Sequence, residues 1–239
     1  MSPRLRAALP EEGATGDRPV TAPVEDYLKT IYELERASGG TAATNELAQR
    51  LGVAPASVTG MVRRLAEQGL LDYERYRGMR LTSQGRAVAL RTIRRHRVIE
   101  TFLARALDMP WDSVHAEAEQ LEHAASDALV DRMAHWLGDP TADPHGAPIP
   151  SRDGTIDETR LPSIAELSVG QSARVVRVSD RNGELLRYLA EIAVVPGAVA
   201  TLLSRAPFDG PLVLALGDRE QMIGPALARQ VLVEPLPDR

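Results

Sequence analysis

Cysteine is absent from the 239-residue sequence, and aromatic residues make up only 4% of it. The lack of thiols excludes disulfides, iron–sulfur clusters and thiolate metal sites, so any metal must bind through His, Asp, Glu, Met, amide or backbone ligands. With so few aromatics, the cores must consist mainly of Leu, Val, Ala and Ile. We find no signal peptide and no apolar run of the roughly 18 residues that span a membrane. The sequence therefore predicts a cytoplasmic protein without a membrane partner.

Charge is unevenly distributed along the chain, although the net charge is only −5. Basic residues outnumber acidic ones from about Lys29 to Arg97, and acidic residues dominate from Asp108 to Glu158. A basic segment followed by an acidic one is typical of a DNA reader joined to a cation site. Chance asymmetry between solvated faces is the alternative interpretation.

The N-terminal third has the pattern of a winged helix-turn-helix. A helix is predicted over 24–36, and a second, beginning at Thr44, is closed by Gly52. Pro55 begins a third. Two short helices joined by a Gly-containing turn indicate a helix-turn-helix. Apolar runs at 70–75 and 79–82, joined by a turn at 76–78, predict the two strands of a wing.

The rest of the chain changes from helical to strand periodicity. Helices are predicted over 83–107 and 111–137, with one or two helical turns at 185–192. Strands are predicted at 173–178, 199–203, 211–216 and 231–233. We expect a mainly α protein with a β domain. Its predicted parts are a disordered tail (1–22), a winged helix-turn-helix DNA-binding domain (23–86), a helical metal-binding and dimerisation domain (87–140), a linker (141–162) and a small β-barrel of the Src-homology-3 type (163–236).

The most informative segment carries two imidazoles and two carboxylates on one helical stripe: His115, Glu119, Glu122 and His123. Such a stripe makes a poor core face, and its like charges repel unless a cation neutralises them. His96 and Glu100 form a second pair, four residues apart. Ligands without sulfur suit Mn²⁺, Fe²⁺, Co²⁺, Ni²⁺ or Zn²⁺. The alternative is a solvated acidic face with incidental histidines, and His135 and His145 are interpreted as surface residues.

Several segments, taken together, resemble the diphtheria toxin repressor family of iron- and manganese-dependent regulators. They are VEDYLKTIYELER, LAQRLGVAPASVTGMVRRLAEQGLL, RRHRVIETFL, HAEAEQLEHAASD and GAPIPSRDG, and the C-terminal LLRYLAEIAVVPGA resembles the family's FeoA-like third domain. The resemblance implies a transcriptional repressor that binds palindromic, double-stranded operator DNA as a homodimer and controls metal homeostasis genes. It implies neither an enzyme nor an organic substrate.

The resemblance also implies two ligand sets. The primary site takes Asp26 from the first helix together with Glu119, Glu122 and His123. The ancillary site takes His96, Glu100 and His115, for which Asp180 and Glu184 are candidate barrel ligands. Carboxylates replace the sulfur ligands of iron-type members at Asp26 and Glu119, which favours Mn²⁺. Fe²⁺ remains an alternative, and Co²⁺, Ni²⁺, Zn²⁺ and Cd²⁺ are expected substitutes in vitro. Lys29 replaces a Glu common in manganese-type members, which argues against a two-metal site of that kind.

Residues at the start of the third helix are predicted to meet DNA. Small groups face the base edges, so affinity would depend on arginine contacts with phosphates. The predicted DNA-binding residues are Ala54, Pro55, Ala56, Ser57, Thr59, Gly60, Arg63 and Arg77, with Arg64 and Arg80 as further phosphate contacts. The predicted dimer face comprises Val98, Phe102, Leu103, Leu129, Met133 and Trp136, for which an intrachain core is the alternative.

Two other functions are alternatives to a metal-dependent regulator. A metallohydrolase would use similar His and Glu clusters, but the chain has no HExxH motif, nucleophile motif or phosphate-binding glycine loop. A winged-helix regulator with a small organic effector would leave the acidic stripe as plain surface. Stoichiometric Mn²⁺ binding distinguishes that regulator from a metal-dependent one.

Overall fold

The computed structural model describes residues 20–74 and 77–237. Its N-terminal part, the head, comprises α1 (Ala22–Ser38), α2 (Thr44–Leu51), α3 (Pro55–Glu67), β1 (Leu71–Glu74) and β2 (Gly78–Leu81). Gly52 ends α2 with a positive φ of 65°, a conformation that glycine adopts without strain. Most of the predicted tail and two residues of the predicted wing, Arg75 and Tyr76, lie outside the described residues.

The head has its own apolar core, formed where α1 crosses the helix-turn-helix. Leu28 and Ile31 of α1 are fully buried together with Leu47 of α2 and Leu65 of α3. The wing strands pair antiparallel, with Leu71 opposite Leu81. This packing buries one face of α3 and leaves the opposite face exposed.

The second part, the body, contains α4 (Ser83–Ala106), α5 (Val114–Leu121) and α6 (Asp127–Trp136). The Thr82 side chain caps α4 by accepting a hydrogen bond from the Gly85 amide. At Gly85 the helix packs directly on the chain after α3, because a Cβ there would lie 2.0 Å from the Leu70 carbonyl oxygen. The start of α4 is therefore fixed against the end of α3.

The prediction of one continuous helix over 111–137 is wrong. The chain turns between Leu121 and Ser126, and α6 begins anew at Asp127. The Ser126 hydroxyl accepts a hydrogen bond from the Leu129 amide at 3.2 Å, and Asp127 lies in the first turn of α6. A serine cap and an early acidic residue favour a new helix start over continuation. Glu122 and His123 consequently lie in the turn after α5.

The C-terminal part is a five-stranded antiparallel barrel-like sheet in the order β6-β5-β4-β3-β7. Its elements are a 3₁₀ turn (Ile164–Glu166), β3 (Ser172–Val178), α7 (Gly183–Glu191), β4 (Val199–Arg205), β5 (Leu212–Leu216), β6 (Arg219–Ile223), α8 (Pro225–Ala228) and β7 (Val231–Pro235). The sequence did not predict β6, because its Arg219-Glu220-Gln221-Met222 stretch carries no apolar alternation.

The segment predicted as a linker packs closely between body and barrel. The Val178 amide of β3 donates to the His145 carbonyl at 2.9 Å. Gly146 has φ +86°, and a Cβ there would lie 1.8 Å from the Val176 carbonyl oxygen.

No helix among residues 20–74 and 77–237 is long and apolar enough to cross a membrane.

Candidate metal centres

The first centre joins the head to the body and consists of Asp26, Glu122 and His123. Asp26 lies in the second turn of α1, and the other two residues lie in the turn after α5. His123 Nε2 lies 2.8 Å from Asp26 Oδ1 and 3.5 Å from Glu122 Oε1. One ligand atom from each residue lies within 4.8 Å of the others. This spacing suits a divalent cation shared between head and body.

Glu25 contacts the ring nitrogen of His123 that faces away from Asp26. Its carboxylate is buried and lies 2.7 Å from His123 Nδ1, so it fixes the ring with Nε2 toward Asp26. A carboxylate on the far nitrogen of a ligating histidine is the usual arrangement around metals. Burial alone would lower the pKa of His123, but its contacts with Glu25 and Asp26 raise it. Glu25 was not predicted from the sequence, where its only signal was its position beside Asp26.

Lys29 is buried beside this centre. Its Nζ donates to Glu119 Oε1 at 2.7 Å and to both carboxylate oxygens of Glu122 at 2.9 Å. It also lies 3.3 Å from His96 Nδ1. Burial would raise the pKa of Glu122, yet His96 and Lys29 hold it below its usual value. Glu119, predicted as a primary ligand, is therefore engaged by an ammonium group.

The predicted ancillary residues His96, Glu100 and His115 do lie together. His96 Nε2 is 2.9 Å from Glu100 Oε1 and 3.0 Å from His115 Nδ1. His96 Nδ1 faces the other way, 2.5 Å from Glu122 Oε2. Burial would lower the pKa of His96, but hydrogen bonds with Glu100 and Glu122 raise it to about 9. His96 therefore lies between two acidic groups, Glu100 on one side and Glu122 on the other.

The second centre joins the body to the barrel and consists of Glu100, Asp143, His145 and Asp180. Glu100 comes from α4, Asp143 and His145 from the loop after α6, and Asp180 from the end of β3. One ligand atom from each lies within 4.8 Å of the other three. Asp180 was one of the candidate barrel ligands, whereas Glu184 lies exposed in the first turn of α7 and belongs to none of the ligand groups found in the described chain.

Unpaired atoms show what the second centre can bind. Within the described residues, three buried side-chain atoms lack a hydrogen-bond partner, and all three belong to this centre: Glu100 Oε2, Asp143 Oδ2 and His145 Nδ1. An unpaired buried polar atom costs about 1–3 kcal/mol, so three together require compensation. Arg97 approaches Asp143 Oδ2 only to 3.6 Å. A divalent cation fits this donor set.

The backbone holds the other polar side-chain atoms of Asp143 and His145. Asp143 Oδ1 accepts from the amides of His145 and Ala147, each at 2.9 Å. His145 Nε2 lies 2.7 Å from the Trp111 carbonyl oxygen, to which it can only donate, so its proton is placed there and the Nδ1 lone pair is free. Burial and the nearby Glu100 raise the pKa of Asp143 to about 6.

The interpretation of His145 as a surface residue is wrong. Its side chain is fully buried, whereas His135 is 88% exposed, as predicted. Asp143 was missed as well. The signal was a Pro- and Gly-rich loop with Asp and His two residues apart, but only the docking of the barrel onto the loop places it beside Glu100.

The predicted DNA-binding residues lie on the uncovered side of the helix-turn-helix. All of them except Thr59 are exposed, and Thr59 is half-buried with its hydroxyl bonded to the Pro55 carbonyl oxygen at 3.0 Å. Arg77 extends from the wing and pairs with Glu74. The exposed set is Ala54, Pro55, Ala56, Ser57, Gly60, Arg63 and Arg77, with Arg64 and Arg80 also exposed.

The predicted dimer face divides into two groups. Val98 and Leu103 are buried within the chain, which is the intrachain alternative. Leu129 and Trp136, by contrast, are 46% and 64% exposed. Phe102 packs edge-on against Trp136 with ring centroids 5.6 Å apart. An apolar strip on α4 and α6 therefore remains uncovered in one chain.

Comparison with known families accounts for all three parts. Residues 20–79 match the iron dependent repressor N-terminal DNA binding domain, residues 82–151 match the iron dependent repressor metal binding and dimerisation domain, and residues 163–235 match the FeoA domain. These matches confirm the predicted fold class.

Individual relatives agree with the family models. The chain is 32% identical over 223 residues to the iron-dependent repressor IdeR of Mycobacterium leprae, a match covering 88% of this chain and 96% of that protein. It is 38% identical over 114 residues to the HTH-type transcriptional regulator MntR of Lysinibacillus sphaericus, covering 48% of this chain and 81% of that one.

Solved structures give the same result. A manganese-dependent transcriptional repressor in complex with manganese superimposes with a TM-score of 0.82 at 36% identity, covering 89% of this chain and 100% of that one. ScaR with bound Zn²⁺ superimposes with a TM-score of 0.78 at 32% identity, covering 89% and 99%. The chain therefore belongs to the iron-dependent repressor family, that of the diphtheria toxin repressor, whose members are metal-dependent transcriptional repressors and not enzymes.

Proposed function

We propose that this chain is a repressor whose DNA-binding posture depends on a divalent cation held at the first centre. One observation carries the proposal: Asp26 belongs to the head, Glu122 and His123 belong to the body, and the three converge within 4.8 Å. When bound, the cation supplies positive charge that neutralises the facing carboxylates. Asp26 then ties α1 to the body and fixes the angle of α3, which selects the DNA-competent arrangement.

The second centre has a different task in this proposal. Glu100, Asp143, His145 and Asp180 would hold a second cation that joins the barrel to the body. The three unpaired buried atoms support this assignment. Asp180 and Asp143 anchor the barrel and the loop before it, so this centre maintains the domain arrangement on which the first centre acts.

We propose Mn²⁺ as the cognate metal. The first centre offers two carboxylates and one imidazole and contains no sulfur. Manganese prefers oxygen-rich coordination, whereas softer donors favour other transition metals. Fe²⁺ is the nearest competitor with these ligands, and metal-binding affinities measured for both ions under anaerobic conditions test this choice.

The DNA partner is proposed to be a palindromic operator bound by a homodimer. The exposed face of α3 is small and uncharged at Ala56, Ser57 and Gly60, and Arg63 and Arg77 border it. The apolar strip around Phe102, Leu129 and Trp136 supplies the self-complementary surface that a two-fold dimer requires. A repressor of this kind acts where the chromosome lies, in the cytoplasm.

A DNA mobility-shift assay across Mn²⁺ concentrations tests the proposal. The DNA is selected from random duplexes by the Mn²⁺-loaded protein. Wild type is expected to shift it only with metal, whereas Glu122→Ala and His123→Ala should lose affinity by about 100-fold, the upper range of typical allosteric coupling.

Matched controls are available on the two helices that flank Glu122 and His123. Glu117→Ala removes an exposed carboxylate from α5, and His135→Ala removes an exposed imidazole from α6. Both are expected to bind DNA as wild type does. Equal DNA affinity of the wild type with and without metal would refute the proposal.

A further inference from the structure

The chain contains a single lysine among its 28 Lys and Arg residues, and this lysine, Lys29, is buried beside the first centre. We propose that the Lys29 ammonium is a built-in cation that takes the place of a second divalent ion between His96, Glu119 and Glu122. Lys29 thereby limits the first centre to one metal ion. This inference rests on the proposed function and concerns how many ions that site accepts.

The geometry at the Lys29 nitrogen resembles coordination by a small cation. Nζ lies 2.7 Å from Glu119 Oε1, 2.9 Å from both oxygens of Glu122 and 3.3 Å from His96 Nδ1. An ammonium has three protons to donate, and three carboxylate oxygens accept them, one from Glu119 and two from Glu122. His96 Nδ1 lies 2.5 Å from Glu122 Oε2 and donates to that oxygen, so it does not accept from Lys29. All the hydrogen-bonding capacity of the ammonium is therefore used inside the protein.

Two of the side chains that contact Lys29, His96 and Glu119, form a ligand set with His115. His96, His115 and Glu119 each offer an atom within 4.8 Å of the others. Glu119 Oε1 lies 3.7 Å from His96 Nδ1 and 3.9 Å from His115 Nε2. Without the ammonium, Glu119 and Glu122 would face each other with no positive charge from α1 between them. A divalent ion bound there would neutralise these two carboxylates.

A lysine suits this position better than the arginine used everywhere else in the chain. The ammonium is compact and behaves as a point charge, whereas a guanidinium is a flat, wider fork. Lys29 also lies three residues after Asp26 on α1, so the two side chains leave the same face of the helix. The head thus presents two carboxylates, Glu25 and Asp26, and one cation, Lys29, to the body.

The experiment counts bound metal. Apo protein is titrated with Mn²⁺ by equilibrium dialysis, and free Mn²⁺ is read by electron paramagnetic resonance. Wild type is expected to bind two ions per chain, one at each centre. Lys29→Glu is expected to bind three, and its spectrum should show magnetic coupling between two neighbouring ions. Lys29→Met, which removes the charge but keeps the stem, should gain the same ion more weakly.

The matched control is Arg91→Glu, which makes the same charge change on an exposed part of α4 and should keep the wild-type count. A wild type that binds three ions, or a Lys29→Glu variant that still binds two, overturns the inference. A wild type that binds no ion at Asp26 refutes the proposed function instead, so the two failures differ.

A measurement on the wild type avoids any folding defect in the variants. With lysine labelled by ¹³C at the ε carbon, Lys29 gives the only side-chain signal. In protein saturated with diamagnetic Cd²⁺, this signal is expected to keep the shifted position of a buried group. Its movement to the position of free lysine on Cd²⁺ saturation would show that a second ion expels the ammonium, which contradicts the inference.

Discussion

The two centres lie on opposite sides of His96, which contacts Glu122 of the first and Glu100 of the second, but they differ in how their polar atoms are paired. In the first, Asp26 is partly exposed, and His123, Glu122 and Lys29 bond to neighbouring side chains. In the second, Glu100 and His145 are fully buried, and each carries an unpaired atom. The side chains of the first centre are thus paired without a metal ion, whereas the second centre carries a free-energy cost when no cation pairs its buried atoms.

We propose that this difference separates a regulatory metal site from a structural one. A regulatory site must be stable in both of its states, so that a modest change in metal concentration shifts the population. Internal pairing by Lys29 and Glu25 gives the first centre that property. The second centre has no such substitute, and Arg97 reaches it only at 3.6 Å. We therefore expect the second centre to fill first and to empty last.

The largest expected effect on stability comes from a substitution where the loop of the second centre packs against β3. Gly146→Ala places a methyl group 1.8 Å from the Val176 carbonyl oxygen at a φ of +86°. Left-handed strain costs about 1–2 kcal/mol, and the overlap adds a similar amount, so we expect a loss of about 3 kcal/mol in unfolding free energy. Urea denaturation measures it.

Gly154→Ala is the matched control for this change. Gly154 also has a positive φ, +83°, but nothing lies within 4 Å of the added Cβ. We expect only the conformational cost of about 1–2 kcal/mol. Equal losses for the two variants would mean that the loop is not held tightly against β3, and the distinction between the centres would weaken.

The next effect separates stability from DNA binding. Asp143→Asn keeps the shape of the second centre but removes a charge. A cation at about 100 times its Kd adds about 2.7 kcal/mol of stability, so losing one site should reduce the Mn²⁺-induced rise in Tm by about 5–10 °C. Differential scanning fluorimetry with and without Mn²⁺ measures the rise.

Asp26→Asn is expected to affect DNA binding more than the Mn²⁺-induced rise in Tm. It should keep at least half of the Mn²⁺-induced rise in Tm but lose metal-dependent DNA binding, because Asp26 is the only proposed ligand from the head. If Asp26→Asn lost the whole rise while Asp143→Asn lost none, the roles assigned to the two centres would be exchanged.

The smallest effect concerns an exposed ionic contact that uses no metal. Glu158 accepts a hydrogen bond from Tyr32 at 2.8 Å and pairs with Arg36 at 2.7 Å and Arg86 at 2.6 Å. Burial would raise the pKa of Glu158, but these contacts lower it from 4.5 to about 2. Because the carboxylate is 42% exposed, we expect Glu158→Gln to cost at most about 1 kcal/mol.

The sign of the pH dependence follows from the lowered pKa. The stabilisation is complete above pH 4.5, the usual value, and is lost as the pH falls toward about 2. Urea unfolding of wild type and Glu158→Gln from pH 7 to pH 3 should give curves that converge in acid. Glu234→Gln, at an exposed position on β7, is the control. Curves that stay parallel would exclude this contact as the cause.

Sequence periodicity predicted the local elements well, since each depends on neighbouring residues. The helix-turn-helix, the wing and α4 follow from apolar spacing and from Gly52 and Thr82 at their ends. The break before α6 was missed because its cap, Ser126, lies within an otherwise helical pattern. Strand β6 was missed because it pairs only with β5 and needs few apolar side chains.

The candidate site was predictable only where its residues share an element. His115, Glu119 and Glu122 stood out because their spacing places them on one helical stripe, although the structure ends α5 at Leu121. Asp143 and His145 join Glu100 only through the docking of the barrel, a long-range contact that leaves no periodic pattern. The role of Lys29 was visible only in part, because the sequence shows that it cannot ligate a metal but not that it fills the space of one.

Helix α4 connects the metal-binding region to the head, so a small movement at one end of it displaces the other end. It begins beside Leu70, three residues after the end of α3, and carries His96 and Glu100 in its C-terminal half. From His96 back to Ser83 the helix acts as a lever arm of about 20 Å. A rotation of about 5° at the metal end displaces the DNA end by about 2 Å, comparable to the separation that makes or breaks a hydrogen bond. Under the proposed function, atomic adjustments around a cation are thus magnified into a change in the contact between α3 and DNA.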